Sequence, residues 1–141
     1  MCRREDAMPE SADETVEAAP IVLTRGADAP WSGHRSGMSI QFGVSGELSG
    51  SSHVFMTHQR IPPGMESTPH VHTNCETAMF VLAGPVLMRH GPALELEHRA
   101  ESGDFLYVPA NAPHQIVNPS TTEDAAVVLC RDAAEEIVRE L

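Results

Sequence analysis

Gly and Pro interrupt this chain so often that little room is left for anything longer than a strand. Short apolar or alternating runs occupy residues 38–44, 54–61, 77–82, 86–89, 94–98, 105–108, 114–117 and 125–130, and Gly or Pro stands between most of them. Runs of about four to eight residues at near-regular spacing predict strands, whereas an amphipathic helix needs about ten or more. The pattern predicts an all-β sandwich or barrel, not βαβ units. Ile21, Val22 and Leu23, ahead of Gly26 and Pro30, read as one further short strand where the folded region begins. Only the last ten residues look helical: Asp132 can act as N-cap, and Ala133, Ile137 and Leu141 recur at i, i+4, i+8. A short C-terminal helix is the expectation.

At 141 residues the chain fits one domain. Residues 1–19 hold six acids, two Arg and no aromatic residue, too little apolar surface to offset the entropy of ordering them. They are expected to form a disordered acidic tail, with residues 20–141 as a single domain.

Charge narrows the function. There are 20 acids against nine basic residues, all of them Arg, for a net charge of −11. That balance opposes phosphate neutralisation and repels anionic lipid, so neither nucleic acid nor a membrane is an expected partner. No apolar run approaches the roughly 18 residues of a membrane span. Cys2, Cys75 and Cys130 are an odd, widely spaced set without CxxC, and the charged start MCRREDAMPE does not read as a signal peptide. The expected location is cytoplasmic, with reduced thiols. The absence of Lys and the abundance of Ala and Arg suit a GC-rich bacterial genome.

The chemistry concentrates in Gly64–Glu76, which contains His70-Val71-His72 and ends on Glu76. In a strand, side chains at i and i+2 leave the same face about 6.6–6.8 Å apart along the axis, so His70 and His72 can both reach an ion between them. A carboxylate four residues past the second His can return to the same ion. Imidazole with carboxylate suits Zn, Fe, Mn, Ni or Cu better than Ca or Mg. A further ligand candidate is His114, which opens an alternating strand after the turn bracketed by Pro109 and Pro113. The proposed metal ligands are thus His70, His72, Glu76 and His114, around one divalent transition metal.

In these residues the sequence resembles the cupins. Their first motif runs Gly, five residues, His-x-His, three or four residues, Glu, about six residues, Gly. Here it reads Gly64, five residues, His70-Val71-His72, three residues, Glu76, seven residues, Gly84. Their second runs Gly, five residues, Pro-x-Gly, two residues, His, three residues, Asn; here it reads Gly103, five residues, Pro109-Ala110-Asn111, two residues, His114, three residues, Asn118. The span from Gly64 to Asn118 covers 55 of the 141 residues. The resemblance implies a small single-domain, RmlC-like double-stranded β-helix, a jelly-roll barrel with the metal inside. Asn111 stands where the pattern has Gly, a mild change because Asn tolerates left-handed backbone. The extra residue between Glu76 and Gly84 matters more, because strand parity would give the inward position to Thr77. Either the loop 73–75 is one residue short and Glu76 still turns inward, the arrangement expected here, or Glu76 lies outside and the ion has three His and water.

A metal with open positions implies an enzyme acting on a small, largely apolar, enolisable or aromatic substrate. Small cupins of this kind include dioxygenases, isomerases, lyases and polyketide cyclases. Glu76 is the candidate general base, and His58 a candidate substrate-facing residue if its side of run 54–61 faces the cavity. Arg60 and Arg89 are the nearby cations. A non-catalytic metal- or ligand-binding cupin is the alternative. Cys75 reads as a small buried hydrophobe, Gln115 as pointing away from the ion, Tyr107 as packing under the barrel and Trp31 as a plug or partner contact. His34, His53, His90 and His98 are expected to be exposed. The resemblance further implies a homodimer that pairs an edge strand, for which residues 21–24 are the segment, unless the C-terminal helix caps that edge and leaves a monomer.

Overall fold

The computed structural model describes residues 19–34 and 36–141, so the tail expected over 1–19 lies almost wholly outside the described residues. Eleven strands and one short helix follow in order: β1 (Trp31–Gly33), β2 (Ser39–Val44), α1 (Gly46–Ser49), β3 (Phe55–Ile61), β4 (His70–His72), β5 (Thr77–Ala83), β6 (Val86–His90), β7 (Leu96–Ala100), β8 (Phe105–Val108), β9 (His114–Val117), β10 (Ala125–Arg131) and β11 (Val138–Glu140). Each of the eight apolar runs becomes a strand. They form a six-stranded sheet in the order β1-β2-β3-β10-β5-β8 and a five-stranded sheet in the order β11-β4-β9-β6-β7. All pairings are antiparallel. From β3 onward the chain changes sheets at every step but β6 to β7, which is the jelly-roll arrangement.

Alternation along the strands fills the space between the sheets. On β10, Ala125, Val127, Leu129 and Arg131 are buried, and on β5 Thr77, Met79 and Val81 are. Ile61, Val81, Val86 and Val127 are wholly inaccessible to solvent, each worth about 1.5–3 kcal/mol of apolar burial. On β3 the inward set is Phe55, Thr57, Gln59 and Ile61.

The turns carry the residues the motifs fix. Gly64 and Gly103 have φ of +71° and +91°, values that a side chain rarely allows. Asn111 sits at φ 61° in place of Gly, and its N–H donates to His72 O at 2.8 Å, tying the turn before β9 to β4. Asn118 is buried; its Nδ2 donates to Ile61 O (2.9 Å) and Glu123 O (2.8 Å), and its Oδ1 accepts from Ser120 N–H (3.0 Å).

Two sequence expectations are corrected. The last ten residues form no helix. Val138, Arg139 and Glu140 pair with His72, Val71 and His70 as β11, and Asp132 accepts from Glu76 N–H at 2.9 Å without capping a helix. A helix of ten residues is marginal in water, whereas the free edge of β4 offers backbone partners for every residue that docks. Residues 21–23 are not a strand either. Trp31–Gly33 already takes the edge of β2 that such a strand would need, and Ile21, Val22 and Leu23 are left exposed.

Candidate metal centre

The five-stranded sheet brings the three histidines together. His70 and His72 leave the same side of β4, and His114, the first residue of β9, is the cross-strand partner of His70. Ring centroids are 4.3 Å apart for His70 and His114, 4.9 Å for His70 and His72, and 5.2 Å for His72 and His114. One nitrogen of each ring lies within 4.8 Å of the others, so a small inward turn of the rings would bring all three to bonds of about 2 Å with one ion.

Backbone carbonyls orient two of these rings. His70 Nδ1 lies 2.7 Å from Thr68 O, and His114 Nδ1 lies 2.9 Å from Ala112 O. A carbonyl only accepts, so each Nδ1 carries the proton and each Nε2 keeps its lone pair for an ion. His72 is set differently. Its Nε2 stands 3.5 Å from Arg131 Nη2, and its Nδ1 stands 3.4 Å from Glu136 Oε2. Burial, then the Arg131 charge, then the neighbouring imidazoles push His72 down to about 3. Burial pushes His114 down to about 4, against the opposing effect of its bond to Ala112. Both rings are therefore neutral at pH 7, the form that binds a metal. The donor set fits a divalent transition metal.

The histidines open on a cavity of about 340 Å³. Its walls are largely apolar, with Met38, Ile40, Met79, Met88, Val108, Ile116 and Leu129, and Gln59, Thr77, Arg131 and Glu136 add polar groups. His34 and Ser36, after β1, also line it.

Other predicted site residues lie elsewhere. Glu76 is exposed on the outer side of the barrel, where it accepts a hydrogen bond from the Tyr107 hydroxyl, and it does not join the three rings. Strand parity decides this. With the residue before β5 facing out, Thr77 takes the inward place. Tyr107 is correspondingly exposed and does not pack under the barrel, and the bond to Glu76 raises its phenol pKa. His58 belongs to the outward set of β3 with Met56 and Arg60; its ring meets Trp31 edge-on at 4.8 Å, away from the cavity. Arg60 stacks over Trp31 at 4.2 Å, and Arg89 pairs with Glu66 and Glu97, so neither serves the cavity. Gln115 points away from the rings, donating to Ser67 O, and Cys75 is buried. His34, His53 and His98 are exposed, whereas His90 is half-buried and stacks on His98 at 4.5 Å.

Sequence reasoning missed Arg131 and Glu136. The signal for Arg131 was present: run 125–130 alternates inward at odd positions, and one more residue continues the parity. Glu136 leaves no signal, because the spacing of Ala133, Ile137 and Leu141 predicts a helix over the segment that delivers it.

Comparison with known proteins agrees with this geometry. A family model described as the cupin domain matches residues 57–130, which is 74 of the 141 residues. No curated protein matches the sequence. Among solved structures, the chain resembles the polyketide cyclase RemF from Streptomyces resistomycificus (TM-score 0.72, 16% identity, 86% of each chain covered). It also resembles an oxalate oxidase in complex with the substrate analogue glycolate (TM-score 0.71, 18% identity, 89% of this chain and 66% of that one). KdgF from Halomonas sp. is a third (TM-score 0.69, 15% identity, 82% of this chain and 96% of that one). At such identities these likenesses speak for the fold. The two motifs, the jelly roll that carries them and a family match over more than half of the sequence make this chain a member of the cupin family.

Proposed function

We propose that this cupin is a metal-dependent enzyme for a small, largely apolar, enolisable or aromatic substrate, with His70, His72 and His114 as protein ligands of one divalent transition metal. The observation that carries the reading is the convergence of three imidazoles, two with Nε2 freed by carbonyl bonds, at the wall of an otherwise apolar cavity. Zn, Fe, Mn, Ni and Cu all suit such donors. Bound there, the metal would supply Lewis acidity to a carbonyl or enolate oxygen or, if redox-active, electrons to O2.

The chain's own residues supply the rest. Three ligands leave open positions, which distinguishes a catalytic site from a closed structural one. Met79, Met88, Ile116 and Leu129 exclude water and favour an apolar ligand body. Glu76 and His58 lie outside the cavity, so neither enters this reading as a base.

Metal analysis of the purified protein, followed by O2 uptake with a flavonol or an aromatic 1,3-diketone, tests it. Iron with O2 consumption supports dioxygenase chemistry, and zinc without it supports cyclase or isomerase chemistry. Stoichiometric metal with ligand binding but no turnover of any such compound would replace the enzyme by the alternative, a binding module. The same reading pairs two copies through residues 21–24, where Ile21 and Leu23 are exposed. Ile21→Ser with Leu23→Ser should then shift the mass measured by light scattering from dimer to monomer.

A further inference from the structure

Among the described residues, four buried side-chain atoms at the cavity lack hydrogen-bond partners: His72 Nδ1, Thr77 Oγ1, Arg131 Nε and Arg131 Nη1. Thr77 and Arg131 are cross-strand partners on β5 and β10, and both line the cavity. The Arg131 side chain is only 6% exposed, and burial lowers its pKa without making neutrality accessible at pH 7. Its charge is met only in part. Glu136 Oε2 lies 3.1 Å from Nη1 without hydrogen-bonding geometry, and that carboxylate is one-third exposed on the segment leading into β11. Nη2 faces the imidazole of His72 at 3.5 Å.

A buried guanidinium with idle donors is costly unless something else uses them. Among the described residues no carboxylate completes the cluster of three imidazoles: Glu76 faces outward, and Glu136 reaches only His72, 3.4 Å from its Nδ1. A divalent ion held by these rings beside Arg131 would place three positive charges at the cavity, against the two carboxylates that line it, Glu136 and Glu140. From this juxtaposition we infer that the cavity binds small apolar carboxylates, with Arg131 as the residue that takes the anionic group, Thr77 Oγ1 donating to it and Glu136 as the counterion it displaces. This names a substrate class for the proposed metal site and rests on that reading for its setting, though the guanidinium subsite is present without the metal. Arg131 keeps its charge when buried and has donors to spare at Nε and Nη1, which a neutral Gln cannot match. The apolar walls accept the ligand's hydrocarbon part.

Benzoate and its neutral isostere benzamide, titrated calorimetrically into metal-free and Co(II)-loaded protein, test the inference. Benzoate should bind at least tenfold more tightly than benzamide. Arg131→Gln should weaken benzoate at least tenfold and leave benzamide within twofold; Glu136→Gln should tighten benzoate several-fold in both forms. Equal benzoate affinity in wild type and Arg131→Gln overturns the inference. If Co(II) is not retained, the metal reading fails on its own, and the metal-free Glu136→Gln protein decides: benzoate binding abolished by adding Arg131→Gln supports the subsite, and binding that persists refutes it. Thr77→Val, which keeps volume and removes only the hydroxyl, should weaken benzoate without altering thermal stability downward, so a folding defect in the Arg131 variant does not obscure the answer.

Discussion

Tyr107 donates its hydroxyl to Glu76 on the outer face of the barrel, one residue before Thr77 turns into the cavity. Their backbones are close because β5 and β8 pair, with Ala78 opposite Tyr107. The bond holds Glu76 in the place that parity assigns it. Glu76→Gln and Tyr107→Phe should therefore each retain the wild-type metal stoichiometry, measured by atomic absorption after gel filtration. Loss of metal in Glu76→Gln would show that the carboxylate swings inward to the ion.

Removing a histidine should act oppositely. Loss of a residue that merely orients a ligand typically costs about 10–100-fold in metal affinity, so loss of a ligand should cost more. His114→Ala is expected to weaken metal binding by over about 100-fold on that scale while the fold, followed by circular dichroism, is kept. Full occupancy in that variant would break the assignment.

Acid should destabilise the metal-free protein earlier than carboxylates alone would. His72 is held at about 3 and His114 at about 4 in the folded chain, against about 6.5 when unfolded. Between those values the unfolded state binds more protons, so stability is full above about pH 6.5 and falls progressively as pH drops toward the folded values. Urea midpoints of metal-free protein should decrease from pH 7.5 to pH 5, and a flat profile over that range would contradict the burial of these rings.

Asn118 illustrates a motif residue with a structural task. Asn118→Ala strips partners from Ile61 O, Glu123 O and Ser120 N–H at once. At roughly 1–3 kcal/mol for a buried group left unpaired, a loss of about 3 kcal/mol is expected, read as a lower denaturation midpoint with an unchanged slope. Asn118→Asp keeps the acceptor and loses both donated bonds, so it should not rescue.

Thr77→Val should go the other way. The hydroxyl is buried without a partner, and its replacement by a methyl of similar shape should raise stability by about 1 kcal/mol in calorimetry. Destabilisation would mean that the hydroxyl has a partner in solution.

Most of the fold was legible because alternation and turn residues are local signals. The runs at 105–108 and 114–117 match β8 and β9 residue for residue, and the three histidines fell where strand geometry places them. What escaped depends on partners distant in sequence. Residues 138–140 became a strand because β4 had an open edge, and residues 21–23 stayed out of the sheet because β1 had taken theirs. For Glu76 motif spacing and strand parity point opposite ways, and in the structure the carboxylate takes the outward place that parity gives it. Arg131 lies one residue beyond the apolar run 125–130, and only its place in the alternation marks it as inward.

The order of β11-β4-β9 also sets a timetable for synthesis. The His70–His72 strand leaves the ribosome well ahead of both neighbours, which come from residues 114–117 and 138–140. At about 5–20 residues per second, the delay until residue 140 has been added is roughly 3–14 s. For the first part of that interval β4 lacks both neighbours, and until residue 140 is added it lacks β11. A metal held by these rings would therefore be selected by the finished barrel, from whichever ions the surrounding pool then offers.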